Sequence, residues 1–143
     1  MKTIDLAGVY FAYDRPDNII KTLPILLNSN LKTIYIFVDG PKNKKNIIKV
    51  NKTKKNIINL TKGNKKIYRI FYKKNLGVKK NFFKSLDFVF KKEKQAIILE
   101  DDCLIKENFI DFCFHLLKKY KKNKKSGPYQ AVILLRKKHL QKT

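Results

Sequence analysis

Apolar residues recur along this chain with two alternating periods. Short β-rich runs at residues 5–13 (DLAGVYFAY), 33–38 (TIYIFV), 66–72 (KIYRIFY) and 96–99 (AIIL) predict strands. Between them the apolar positions spread to three- and four-residue spacing. Ile19, Ile20, Leu23, Leu26 and Leu27 predict a helix whose first turn is set by Pro16. Pro24 lies inside that pattern and is expected to kink or split it, because an interior proline costs about 3 kcal/mol. Residues 44–60 are rich in Lys and Asn with paired isoleucines, and predict one weak surface helix or two short ones. Phe82, Phe83, Leu86, Val89 and Phe90 predict an amphipathic helix, and Phe109, Phe112, Cys113, Leu116, Leu117 and Tyr120 another. Residues 131–135 are apolar enough for a fifth strand.

Strands alternating with helices predict an α/β fold, a Rossmann-like half-domain with a mostly parallel sheet and helices on both faces. It is expected to span residues 1–125, followed by an atypical tail at 126–143. Asp14, Asp39, Asn75 with Gly77, and Glu100 to Asp102 each follow a different predicted strand. In a parallel sheet these four positions share one edge, where open α/β sheets bind ligands. One site built from four loops is therefore expected. Loop polarity alone explains each residue singly, but in so basic a chain it predicts Lys and Ser as readily as Asp.

Glu100, Asp101 and Asp102 are three of only eleven acids, set against 34 bases. Adjacent carboxylates repel one another, so the cluster calls for a positive partner such as a divalent metal carrying a nucleotide diphosphate. The alternative is a solvated acidic turn. The net charge of +23 invites a second functional class, a basic nucleic-acid-binding module without catalytic activity. Against it, the bases are 31 Lys and 3 Arg spread along the whole length, a pattern closer to a compositional habit than to a recognition surface. Tyr10, Tyr35, Tyr68 and Tyr72 fall in predicted strands and are expected to pack within the sheet rather than stack on bases. Cys103 and Cys113 have no zinc-site spacing, and Cys113 is expected as a buried thiol. Asp5 interrupts the first apolar run and no cleavage site follows it, so a cytoplasmic chain is expected, its charge favouring peripheral contact with an anionic membrane.

Four segments taken in order, Phe11-Ala12-Tyr13-Asp14-Arg15-Pro16, Asp39-Gly40, Asn75-Leu76-Gly77 and Ile98-Leu99-Glu100-Asp101-Asp102, carry a resemblance. They resemble the nucleotide-binding half of GT-A-fold glycosyltransferases. The similar branch carries a Glu-Asp-Asp form of the DxD motif, as in N-acetylglucosaminyltransferase I and bacterial family-2-like sugar transferases. The most specific stretch is 96–112, with Glu107-Asn108-Phe109 after the acids, and the similarity covers residues 5 to 122.

The resemblance implies a metal-dependent glycosyltransferase that moves a sugar from a UDP-type donor to a glycan or lipid-linked acceptor, with no nucleic acid as partner. Asp102 would ligate Mn²⁺ or Mg²⁺, Asp101 would face the ribose or a metal-bound water, and Glu100 the sugar hydroxyls. Asp39 would accept from the uracil ring, Asp14 and Arg15 would lie near the nucleotide, and Gly77 with Lys79 or Lys80 would help hold it. The family's second half, which supplies the acceptor site and the base of inverting members, has no counterpart after Asp102, which implies a truncated form and leaves the catalytic base unassigned. Asp111 is expected to be solvated and His115 to belong to a packing helix, with His139 the remaining imidazole. Phosphoryl or nucleotidyl transfer on the same acids is a third reading, weakened because no Gly-rich loop ending in Lys-Ser or Lys-Thr is present.

Overall fold

The computed structural model describes residues 2–121 and the backbone of residues 130–134. The elements run β1 (Ile4–Ala12), α1 (Pro16–Leu27), β2 (Leu31–Val38), α2 (Lys44–Thr61), β3 (Ile67–Phe71), α3 (Val78–Phe90), β4 (Gln95–Glu100), α4 (Phe109–Tyr120) and β5 (Gln130–Leu134). The strands form one sheet in the order β3-β2-β1-β4-β5, and every pairing in it is parallel. The protein is α/β, with the layout of a Rossmann-like half-domain. The expected fifth strand is present one residue early and pairs Gln95–Leu99 with Gln130–Leu134. Leu135, His139 and the boundary expected at residue 125 lie outside the described residues.

The central strands are apolar on both faces because both are covered. From β1, Leu6, Tyr10 and Ala12 enter a core shared with α1, α2 and α4, whereas Ala7 and Val9 enter a second core closed by α3. That period of two, repeated in β2 and β4, is the reason these strands read as continuous hydrophobic runs. Cys113 is buried in the first core, where burial pushes its thiol up to about 11.

Three sequence expectations are made more specific. Helix α1 is continuous through Pro24. The carbonyl that Pro24 leaves without its usual donor belongs to Ile20, a residue 56% exposed, so water can satisfy it, and Asn28 N–H closes the last turn on the Pro24 carbonyl at 2.9 Å. Residues 44–61 form a single helix, started by Asn43, whose side chain accepts from the N–H groups of Lys45 and Asn46. Tyr10 and Tyr35 are buried as expected, but Tyr68 on the edge strand β3 is 50% exposed and lies stacked on Tyr35, centroids 5.2 Å apart. Among the described residues no helix is long and apolar enough to cross a membrane.

Candidate functional site

In this strand order the chain leaves β1 towards β2 and returns from β3 to β4 on the other side of β1. The β1–β4 boundary is therefore a topological switch point, where the loops at the carboxyl ends diverge and leave a crevice. A cavity of about 370 Å³ opens there. Its wall draws on the loop after β1 (Tyr13, Asp14, Arg15), the loop after β2 (Asp39, Lys42), the β3–α3 turn (Asn75, Gly77) and the end of β4 (Glu100, Asp101). Phe11, Ala12, Val78, Asn81 and Phe82 complete it, with Phe11 and Phe82 stacked at 5.3 Å.

Asp39 ties two of these loops together. It is 5% exposed, and its Oδ1 accepts from the N–H of Gly40 (2.9 Å) and Leu76 (2.8 Å). Its Oδ2 accepts from Gly77 N–H (3.0 Å) and Asn75 Nδ2 (3.2 Å). A carboxylate offers about four lone-pair sites, so these donors occupy the group. Asp39 borders the cavity, but in this arrangement it has no lone pair left for a uracil N–H; the role the resemblance implied for it would require loop rearrangement.

The turn it holds depends on two glycines for different reasons. At Gly40 an added Cβ would lie 2.4 Å from the backbone carbonyl carbon of Lys74 and 2.8 Å from the Asn75 nitrogen. The constraint there is space. At Gly77 nothing lies within 4 Å, but φ is 79° and ψ is 159°, a region that side chains avoid. Gly77→Ala is accordingly expected to destabilise the chain by about 1–3 kcal/mol through backbone strain alone. Urea unfolding checks this, and a loss below a few tenths of a kcal/mol would show that the turn relaxes freely.

The acidic cluster is closed by an arginine. Arg15 Nη1 lies 2.7 Å from Asp101 Oδ1 and 3.1 Å from Asp102 Oδ2. Tyr13 N–H donates to Asp101 Oδ2 at 3.2 Å, and Asp101 N–H donates to the Phe11 carbonyl at 2.9 Å, so the β1 and β4 ends are stitched together. Burial raises the Asp101 carboxyl above its usual range; Arg15 and the Tyr13 N–H oppose that shift, and the Asp102 charge adds to it. Asp14 accepts from Asn46 Nδ2 of α2 at 2.9 Å.

Of the residues singled out in the sequence, Asp14, Arg15, Asp39, Asn75, Gly77, Glu100 and Asp101 line this cavity. Lys79 and Lys80 are exposed on the first turn of α3 and are not part of its wall, and neither is Asp102, which faces Arg15 and the Cys103 thiol. Asp111 and His115 are exposed on α4. Sequence reasoning passed over Lys42, Asn81 and Phe82. Lys42 was detectable as the first cation after the Asp39-Gly40-Pro41 turn, whereas Phe82 read as an ordinary core position of its helix.

Among the described residues no group of three or more His, Cys, Asp or Glu side chains converges to hold a divalent cation. The acid pair that would have to serve already carries a guanidinium, so the side chains as arranged do not fit a preformed metal site. No protein-family model matches this chain, and no curated protein matches it.

Proposed function

We propose that the switch-point cavity is the donor site of a glycosyltransferase-type domain, and that it takes a nucleoside diphosphate sugar of the UDP type. The observation that supports this reading is the convergence of four loops, two cations and an aromatic wall on one cavity at the carboxyl edge of the sheet. Arg15 and Lys42 suit a diphosphate, which accepts charge-assisted hydrogen bonds. Phe11, Tyr13, Val78 and Phe82 offer a flat apolar surface to a base, and Asp14 and Glu100 offer acceptors to ribose and sugar hydroxyls. Transfer to a glycan or lipid-linked acceptor, and its assistance by Mn²⁺ or Mg²⁺, belong to the same proposal and rest on the resemblance. No residue of this chain is assigned as the base.

Calorimetric titration with UDP and UMP, in Mn²⁺ and in a chelator, tests the donor site. UDP is expected to bind at least tenfold more tightly than UMP, and Arg15→Glu to abolish the difference. A folded protein that takes up neither nucleotide would end the donor reading. The polyanion rival is tested beside it with a single-stranded oligonucleotide: tight binding that falls steeply with added salt, without UDP binding, would favour that rival. Burial of Tyr10 and Tyr35 removes two of the four strand tyrosines from any stacking surface.

A further inference from the structure

Asn81 lies in the first turn of α3, lines the cavity and is only 8% exposed. One end of its amide is spoken for. The buried Ser85 hydroxyl donates to Asn81 Oδ1 at 3.2 Å, and Tyr72 Oη lies 3.1 Å from Ser85 Oγ, so the relay runs from Tyr72 through Ser85 to Asn81. Asn81 Nδ2 has no partner among the described residues. Among those residues Thr53 Oγ1 is the side-chain polar atom sealed in the protein without a partner, so Nδ2 keeps an opening, and the opening beside Asn81 is the cavity. A buried amide with both N–H groups unspent calls for an acceptor from outside the chain.

The start of α3 has the same need. Its first internal bond runs from Asn81 N–H to the Gly77 carbonyl, and Gly77 supplies no side-chain cap. Asp39 takes the Leu76 and Gly77 N–H groups and stops there, which leaves those of Val78, Lys79 and Lys80 without an acceptor among the described residues. They point back along the helix towards the carboxyl edge of the sheet. A side chain at Gly77 would meet nothing within 4 Å, so the approach is open.

We infer that the first turn of α3 and the Asn81 amide form an oxyanion subsite in the cavity wall, and that it takes a phosphate group. Every free group here is a donor, the helix dipole favours negative charge, and Lys79 and Lys80 add cations on the same turn. The subsite stands on the geometry of α3; its ligand being the diphosphate of the nucleotide rests on the donor-site reading.

Nitrogen-resolved NMR of the full chain, titrated with inorganic pyrophosphate in a chelator, reads each amide separately. The Val78, Lys79 and Lys80 amides and the Asn81 side-chain amide are expected to shift first and to saturate together. Shifts scattered over the surface lysines without saturation, or an equal response to acetate, would overturn the proposal. Asn81→Asp keeps the acceptor for Ser85 but turns a carboxylate oxygen to the cavity. An acid in a first helical turn is otherwise favoured, so a purely structural role predicts no loss of pyrophosphate binding, whereas the subsite predicts a loss of about tenfold or more. Unchanged affinity overturns it. Should circular dichroism show Asn81→Asp unfolded, Val78→Pro is read in its place. Proline is accepted at the first helical position, and Val78 is 85% exposed, so the change removes one N–H and little packing. A loss of about threefold supports the subsite and none overturns it. UDP that moves the same amides joins the subsite to the donor site. UDP binding that leaves them unmoved overturns the subsite, while pyrophosphate binding without UDP binding overturns only the donor reading.

Discussion

Asp39→Ala is expected to lower the free energy of unfolding by about 3–5 kcal/mol, the largest effect of any single substitution at the cavity. The carboxylate receives three backbone N–H groups and the Asn75 amide, and all but the Gly40 bond come from the β3–α3 turn. Removing it leaves the three backbone donors without an acceptor, while Asn75 Nδ2 keeps its 2.8 Å bond to the Gly40 carbonyl. Each buried donor so stranded costs about 1–3 kcal/mol, but Leu76 and Gly77 are only half-buried, so water entry recovers part of the sum. Asp39→Asn provides a sharper comparison. It keeps the shape but turns an NH₂ group towards N–H donors, and is expected to cost nearly as much as alanine. Urea unfolding gives the stability, and hydrogen exchange gives the location: the Leu76 and Gly77 amides should lose protection well before the amides of β1. A loss under 1 kcal/mol, or unchanged protection of the turn, would show that Asp39 does not hold it.

Gly40→Ala carries the second largest effect, about 3 kcal/mol. The added methyl would meet the Lys74 carbonyl carbon at 2.4 Å, its oxygen at 2.7 Å and the Asn75 nitrogen at 2.8 Å, and all three are backbone atoms. A flexible side chain could swing aside; two loops joined through Asp39 cannot separate without breaking its bonds. The substitution is therefore expected to act on the same loops as Asp39→Ala, and the double variant to lose less than the sum of the two. Additive losses in denaturant unfolding would place the two residues in independent structures. Both variants should also weaken any nucleotide binding at the cavity, since the Asp39 and Gly77 walls move with the turn.

Particular residues show why some features were legible in the sequence and others were not. Strands β1, β2 and β4 were legible because each is covered on both faces, so their apolar residues are contiguous. Helix α2 was ambiguous because two of its four buried positions, Val50, Thr53, Ile57 and Thr61, are threonines, which dilute the apolar stripe. Tyr68 packs on Tyr35 as expected, but its 50% exposure was not legible, because an aromatic in a β-rich run reads alike whether the strand lies in the middle of the sheet or at its edge. That the interior proline does not split α1 was not legible either: its cost depends on whether the freed carbonyl reaches water, a matter of which side of α1 faces the sheet.

At the cavity the division is sharper. The sequence by itself determined that strands and helices alternate, that the sheet is parallel, and that Asp14, Asp39, Asn75 with Gly77, and Glu100 follow successive strands. Local periodicity and turn chemistry act over a few residues and need no partner. Only the tertiary structure decided what those groups do to one another. Asp39 is engaged by donors 36 to 38 residues away, and Arg15 closes on an aspartate 86 residues away. Such pairings follow from the strand order β3-β2-β1-β4-β5, which sets the β1 loop beside the β4 loop and the β2 loop beside the β3 loop. Charge attracts without direction along a chain, so no spacing in a sequence with 34 bases and eleven acids singles out the arginine that would meet this pair.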